Sequence, residues 1–341
     1  MSTVPPVSTT MLPLGDPELE ARLLPELADV EARLARAVVG GDRLVDPPAS
    51  HLAAAGGKRL RPLLTLLASE LGEGANDAVR DAAVTVELTH LATLYHDDVM
   101  DSAPMRRGAP AAHEVWGNSV AILTGDLLLA RASLLVASLG TEAVRVHAQT
   151  YERLCLGQLH ETFGPAEGQD PVEHYIQVLA DKTGSLIATA ARYGAVFSGA
   201  DPEVAEVLTR YGEKVGVAFQ LADDVIDLSA DAATTGKTPG TDLREGVDTM
   251  PVLLLRERLA AGTLDERGAA VLERLGAEQL ASDDALRAVV ADLRHHEVVA
   301  QARELAEQWA HDAVAELEPL PASPVKDALG AFAGLLVDRL A

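Results

Sequence analysis

From about Leu19 onward, apolar residues recur at spacings of three and four, strong helix formers dominate, and β-branched alternation is scarce. That periodicity predicts helices over 17–39, 58–73, 76–102, 117–139, 142–163, 171–182, 185–198, 203–228, 250–261, 265–276, 282–294, 296–315 and 323–340. Gly, Pro and acidic residues punctuate them, as in Gly74-Ala75-Asn76-Asp77 and Glu318-Pro319-Leu320-Pro321. The expected fold class is all-α. Two stretches break the pattern. The opening residues, 1–16, carry Pro and Thr without helical periodicity and are expected to form a disordered tail before a folded region spanning 17–341. Ser229 to Thr249 reads as a long polar loop, and long loops inside compact domains tend to carry function.

Composition narrows the class. Across 341 residues, 28 Lys and Arg face 52 Asp and Glu, a formal charge of −24 that disfavours any nucleic-acid partner. An anionic substrate would need locally concentrated positive charge. The single Cys155 excludes an intrachain disulfide, and no Cys/His spacing suggests zinc. The opening residues lack the basic start and apolar run of a signal peptide. The most apolar stretch, Ser119 to Gly140, is interrupted by Asp126 and Arg131, so no integral membrane segment is expected and the cytoplasm is the default location.

The chemistry concentrates in two cassettes of one pattern, Asp97-Asp98-Val99-Met100-Asp101 and Asp223-Asp224-Val225-Ile226-Asp227. On a helix the first and fifth positions share a face, so each cassette aims carboxylates at one spot. Both sit late in their helices, where the negative pole of the dipole disfavours further negative charge by roughly 0.3–1 kcal/mol per carboxylate. A hard divalent cation removes both penalties. Oxygen donors without Cys or His favour magnesium, which completes its shell with water and a substrate's phosphates. The loop glycine and terminal Glu of an EF-hand are missing, so that alternative fails.

Two basic knots stand out in so acidic a chain: Gly56-Gly57-Lys58-Arg59-Leu60-Arg61-Pro62, and Arg106-Arg107-Gly108 just after the first cassette. Guanidinium forks match phosphate oxygens in pairs, and lysine adds a compact charge. Gly236-Lys237-Thr238 resembles the end of a nucleotide-binding loop, but Asp231 stands where the leading glycine belongs and no strand precedes it. Lys237 remains a candidate phosphate contact, as does Lys182 beside Thr183 at the Gly184 break. His90 lies seven residues before Asp97, two turns away on nearly the same face.

Together these residues resemble the trans-isoprenyl diphosphate synthases, or polyprenyl synthetases. The resemblance runs from about residue 20 to the end, most specifically through GGKRLRP at 56–62, HDDVMDSAPMRRG at 96–108, GDLL at 125–128, KTGSL at 182–186, FQLADDVID at 219–227 and GKTPGTDLREG at 236–246. It implies the isoprenoid synthase fold, a single-domain helical bundle around a deep central cavity, a homodimer, and three magnesium ions. By motif position, Asp97, Asp98, Asp101 and Asp223, with Asp224 and Asp227 through water, would hold the metals. Arg106, Lys182 and Lys237 would contact the allylic diphosphate, with Gln220 and Thr183 nearby. Lys58, Arg61, His90 and Arg107 would bind isopentenyl diphosphate. The implied reaction ionises the allylic diphosphate and joins the isopentenyl double bond head to tail.

Product length should follow from side chains on the face leading back from Asp97, namely Thr93, Ala92 and Thr89. None is aromatic, and each open turn adds about 5.4 Å of depth, which favours a long-chain polyprenyl product. A geranylgeranyl diphosphate synthase with a shallower tunnel is the nearest alternative, and a class I terpene synthase a more distant one. A non-catalytic partner subunit is a third reading, against which both acidic cassettes are intact.

Overall fold

A computed structural model describes residues 13–229, 239–244, 246–276 and 282–337. Its elements, in chain order, are α1 (Pro17–Ala37), α2 (Asp46–Ala54), α3 (Leu60–Ser69), α4 (Asp77–Met100), β1 (Met105–Arg106), β2 (Ala109–Pro110), α5 (Ala112–Trp116), α6 (Asn118–Ser138), α7 (Thr141–Phe163) and α8 (Pro171–Leu179). A π-helical turn (Ala180–Gly184) then leads into α9 (Ser185–Phe197) and α10 (Pro202–Ser229). The rest comprises α11 (Thr241–Arg244), α12 (Met250–Ala261), α13 (Glu266–Leu275), α14 (Asp283–Arg294), α15 (Glu297–Glu316) and α16 (Pro324–Val337). The fold is an all-α bundle, and a two-stranded antiparallel hairpin is the sheet found among the described residues.

Helix starts follow capping chemistry. The carboxylate of Asp16 accepts from the amides of Glu18 and Leu19, Asn76 caps α4 through the Val79 amide, and Asp170 caps α8 through Val172 and Glu173. The expected long helices are present within a few residues, but α2, α5, α11, the hairpin and the π turn do not follow from periodicity. All but α2 are too short to display a helical period, and α2 carries two prolines in its first turn and little apolar periodicity. The third helix begins at Leu60 rather than at 58 because Arg59 is left-handed, with φ 50°.

The chain folds as two compact units, each assembled from separate stretches of sequence. The first comprises Met1–Glu152, Leu186–Gly212 and Glu316–Phe332. Within it α4 packs against α1, α3 and α6, burying Leu23, Leu27 and Val30 of α1, Leu63, Leu64 and Leu67 of α3, and Leu88, Leu91 and Ala92 of α4. The second comprises Arg153–Ser185, Glu213–Ala315 and Ala333–Ala341. Its core gathers Leu221, Val225 and Leu228 of α10 with Met250, Val252 and Leu255 of α12, Leu286 and Leu293 of α14, and Ala302 and Ala306 of α15.

Helix α6 is long and apolar enough to cross a membrane, and a third of its most apolar window is buried in the protein. The two charges that interrupt it are both used or exposed: Arg131 donates to the Ala37 carbonyl at 3.2 Å, and Asp126 lies 3.3 Å from His96 Nε2.

Glycine sets the closest helix approach in the first unit. A Cβ on Gly194 of α9 would meet the Thr65 carbonyl oxygen of α3 at 2.2 Å and the Ala68 Cβ at 2.7 Å. Gly194→Ala is therefore expected to destabilise the protein by about 1–3 kcal/mol, the range typical of overpacking. Urea unfolding measures this, and an unshifted midpoint would rule out so tight a contact.

Candidate active site

The first acidic cassette closes α4 in the first unit. Asp97 is half-buried and Asp101, the C-cap residue, is exposed, with its amide on the Asp97 carbonyl at 2.8 Å. Asp98 differs. It is fully buried, Oδ1 accepts from Arg106 Nε at 2.6 Å, and Oδ2 is buried with no hydrogen-bond partner. Burial pushes the Asp98 carboxyl above its ordinary value, against the pull of Arg106.

Arg106 arrives there on the hairpin. Its register pairs Met105 with Pro110 and Arg106 with Ala109, leaving Arg107 and Gly108 as a two-residue turn at φ 53° and 76°. Positive φ at both positions is the turn type whose twist matches a hairpin. His51 of α2 contacts the Pro110 carbonyl at 2.8 Å, and the Tyr95 hydroxyl of α4 donates to the Pro48 carbonyl at 2.5 Å. These bonds fix the hairpin over the end of α4. Among the described residues the left-handed non-glycines are Arg59, Ser102 and Arg107, all in or beside the two basic knots and the cassette. Such strained backbone costs of order 1–3 kcal/mol each and gathers at functional sites.

The basic knots meet around His90. Arg59 is buried, with Nη1 on Glu87 Oε1 at 2.9 Å, Nη2 on the Ala53 carbonyl at 2.9 Å, and a close Nε contact to Glu31. Arg107 donates to the carbonyls of Leu52 and Gly56, and Nη2 lies 3.8 Å from Glu87 Oε1. Gly57, at φ +139°, leaves room for that guanidinium, since a Cβ there would meet Arg107 Cζ at 2.9 Å. The Nε of Arg61 is buried without a hydrogen-bond partner. Burial draws the Arg61 pKa down to about 10, with Glu87 resisting and Arg107 adding to the fall. Burial, then the charges of Arg61, Arg107, Arg106 and Arg59, hold His90 well below its ordinary value, so its ring is neutral near pH 7. Lys58 is exposed at the edge of this cluster. Glu87 does not stand out in the sequence, and Arg59 stands there as part of the basic knot without a task of its own. The signal for Glu87 was its place one turn before His90 on the same helix.

Of the chain-length candidates, Thr89 and Ala92 are fully buried and Thr93 is half-buried. The Thr89 hydroxyl lies 2.9 Å from His147 Nε2 on α7, and Thr93 donates to the His90 carbonyl at 2.8 Å.

In the second unit the other cassette repeats the arrangement. Asp223 and Asp227 are half-buried, while Asp224 is buried and its Oδ2 accepts from the Tyr175 hydroxyl at 2.9 Å and the Met250 amide at 3.2 Å. Burial raises the Asp224 carboxyl well above its ordinary value; those two bonds oppose the rise, and Asp242 and Asp223 add to it. Lys182, in the π turn, places Nζ 2.5 Å from Glu161 Oε2, and Thr183 donates to Gln220 Oε1 at 3.3 Å. Lys237 lies outside the described residues. In both cassettes the second aspartate is buried and bonded within the protein, while the first and fifth are half-buried or exposed. Among the described residues no three His, Cys, Asp or Glu side chains form a ready cage for a metal. Two outward carboxylates per cassette, without nitrogen or sulfur donors, still suit magnesium, which binds through one or two carboxylates and takes phosphate oxygens and water for the rest.

The chain resembles known proteins over most of its length. The profile described as Polyprenyl synthetase matches residues 42–293. The chain is 44% identical to the nonaprenyl diphosphate synthase of Mycobacterium tuberculosis, over 96% of each chain. It superimposes with a TM-score of 0.83 on the geranylgeranyl pyrophosphate synthase of Corynebacterium glutamicum, solved with calcium and isoprenyl diphosphate, at 43% identity over 96% of this chain and 98% of that one. For the polyprenyl synthase of Caulobacter crescentus, also solved with calcium and isoprenyl diphosphate, the TM-score is 0.85 at 34% identity, over 95% and 97%.

The depressed His90 pKa has a sign that can be read in stability. The unfolded chain protonates His90 near pH 6.5, before the folded one does, so lowering the pH through that value favours unfolding. Without diphosphate, the wild type should lose stability relative to His90→Gln below about pH 6.5, by up to about 1.4 kcal/mol per pH unit. Urea midpoints across that range test this, and parallel profiles for the two proteins would contradict the burial of a neutral ring.

Proposed function

The chain belongs to the polyprenyl synthetase family and is a prenyltransferase, and we propose that it condenses isopentenyl diphosphate head to tail onto an allylic diphosphate until a long-chain polyprenyl diphosphate is made. One observation carries this reading for the residues themselves. In a chain of net charge −24, Arg59, Arg61, Arg106 and Arg107 gather around a neutral His90, two turns before the first acidic cassette on the same helix. So concentrated a positive charge needs an anion, and the carboxylates beside it need cations.

Each residue then has a task. Arg61, with an Nε awaiting an acceptor, and Lys58 bind the isopentenyl diphosphate, with Arg107 and His90 lining the same place. Arg106, oriented by Asp98, and Lys182, oriented by Glu161, hold the allylic diphosphate, and Lys237 adds a third cation. Asp97, Asp101, Asp223 and Asp227 hold magnesium. Asp98 and Asp224, assigned to the metals on motif position with Asp224 acting through water, also brace Arg106 and the start of α12. Bound magnesium supplies Lewis-acid neutralisation of the diphosphate that leaves. Thr183 and Gln220 present oxygen dipoles beside Lys182, where the positive charge that develops on the allyl group as the diphosphate departs would be stabilised. Proton loss to the released diphosphate completes a cycle.

The absence of an aromatic ring at Ala92 and Thr93 supports a long product, as does the 44% identity to a nonaprenyl diphosphate synthase. The Thr89–His147 bond, two turns below Asp97, favours a shorter one of geranylgeranyl length as the second reading. Val120, Ile122, Leu123 and Leu134 expose an apolar face on α6, which a second copy of the chain would cover in a homodimer. A cytoplasmic location fits a protein with these soluble substrates.

Incubation with radiolabelled isopentenyl diphosphate, an allylic primer and magnesium, followed by mass analysis, should give a ladder ending beyond twenty carbons. A dominant geranylgeranyl product would overturn the length but leave the condensation standing. Asp97→Ala should lower turnover by about 10²–10³-fold, the scale for losing a transition-state charge stabiliser, with an unchanged unfolding midpoint. Unaltered turnover would defeat the assignment. Leu123→Glu should convert a dimer to a monomer in light scattering, and a wild-type monomer would refute the second-copy proposal.

A further inference from the structure

The second unit contains a partly buried ion cluster that the reaction does not explain. Arg153 of α7 places Nε 2.6 Å from Asp181 Oδ1 and spans both oxygens of Glu213, with Nη2 to Oε1 at 2.9 Å and Nη1 to Oε2 at 3.2 Å. The same guanidinium reaches the Ala180 carbonyl at 3.4 Å, and Gln177 donates to the second Asp181 oxygen at 2.8 Å. Asp181 is buried, and it is the residue before Lys182.

What Asp181 anchors is a wide helical turn. Over Ala180–Gly184 the backbone is π-helical, with the Ser185 amide on the Ala180 carbonyl and the Ser185 hydroxyl on the Asp181 carbonyl at 2.6 Å. A π turn inserts one residue into an α-helix, which turns the flanking side chains by about 100° relative to an uninterrupted helix. It weakens local hydrogen bonding and persists only where its surroundings enforce it. Three glycines do so on the backbone side. A Cβ on Gly157 would meet the Lys182 amide nitrogen at 2.7 Å, one on Gly184 the Glu213 carbonyl at 2.9 Å, and one on Gly216 the Gly184 Cα at 2.4 Å. Within this unit α7, the turn and α10 therefore touch backbone to backbone. The bidentate clamp of Arg153 on Glu213 and Asp181 joins the same three segments through side chains.

We propose that Arg153 is a positioning residue for the transfer reaction: by clamping Asp181 to Glu213 it enforces the π turn, which aims the Lys182 ammonium and the Thr183 hydroxyl at the allylic diphosphate. This rests on the reading of Lys182 as a diphosphate contact. Arg153 itself touches no substrate. In an uninterrupted α-helix, Lys182 would swing away from Glu161 and Thr183 away from Gln220, the partners that orient them here. The arginine is needed as such because lysine cannot span two carboxylate oxygens and reach Asp181 at once.

Two measurements on the full chain decide it. In steady-state kinetics, Arg153→Met should lower kcat by about 10²-fold, the cost of misplacing a reacting group by about 1 Å, while the KM for isopentenyl diphosphate stays unchanged. Arg153→Lys should recover part of that loss. Gln177→Ala, an exposed change that tests the clamp even where Arg153→Met does not fold, should lower kcat in the same direction by a smaller factor. In crystal structures, Arg153→Met, or Gln177→Ala in its place, should show the 180–184 turn tightened or the Lys182–Glu161 contact broken. A wild-type kcat in these variants, or a π turn and a Lys182–Glu161 contact both unchanged in them, would overturn the proposal. A wild-type protein that makes no prenyl product would sink the reaction for this chain instead, and the crystallographic comparison would still decide the clamp.

Discussion

The Glu87 carboxylate holds together charges that would otherwise repel. It is almost fully buried on α4, pairs with Arg59 at 2.9 Å, lies 3.8 Å from Arg107, and pulls against the loss of charge on Arg61. Removing one partner from such a buried set costs about 3–5 kcal/mol, because the remaining charge is left in a medium that solvates it poorly. Glu87, Glu31 and Asp98 set three carboxylates against the four guanidiniums of Arg59, Arg61, Arg106 and Arg107. That excess positive charge adds to burial in holding His90 well below its ordinary value. Loss of Glu87 would scatter the cluster rather than merely weaken it.

The acidic cassettes obey the complementary constraint. Three carboxylates within five residues cannot all face one point without a compensating charge. In both cassettes the second aspartate turns inward and takes a donor from a later or distant part of the chain: Arg106 of the hairpin for Asp98, Tyr175 and the Met250 amide for Asp224. This spreads the charge and also tethers the segment that follows each cassette. The two carboxylates left outward are what a cation with a mostly water and phosphate shell requires. The second aspartate of each acidic motif is thus a structural bracket, a part its neighbours of the same residue type do not take in these bonds.

Much of this was legible beforehand. The long helices followed from periodicity, since a buried stripe repeats every 3.6 residues whatever it packs against. The residues of GGKRLRP and of the cassettes could be named because charge so concentrated is rarely neutral to function. Their separate tasks could not be read. Asp97 and Asp98 are neighbours of one residue type, and only the packing of α4 makes one outward and the other buried. Short elements escaped for a different reason. The hairpin at 105–110 and the π turn at 180–184 are held by contacts with residues far away in sequence, such as His51 and Arg153, and not by their own propensity.

The sequence by itself determined the helical class, the family and the inventory of charged side chains, because these depend on composition and short-range spacing. Tertiary structure alone decided which charges meet. Glu87 joins Arg59 and Arg107, Arg153 joins Asp181 and Glu213, and Asp224 joins Tyr175 across separations of 20 to 60 residues in the chain. An ion pair buried away from water is set by the distance between side chains in space and by their exclusion from solvent. Neither quantity exists until the helices have packed.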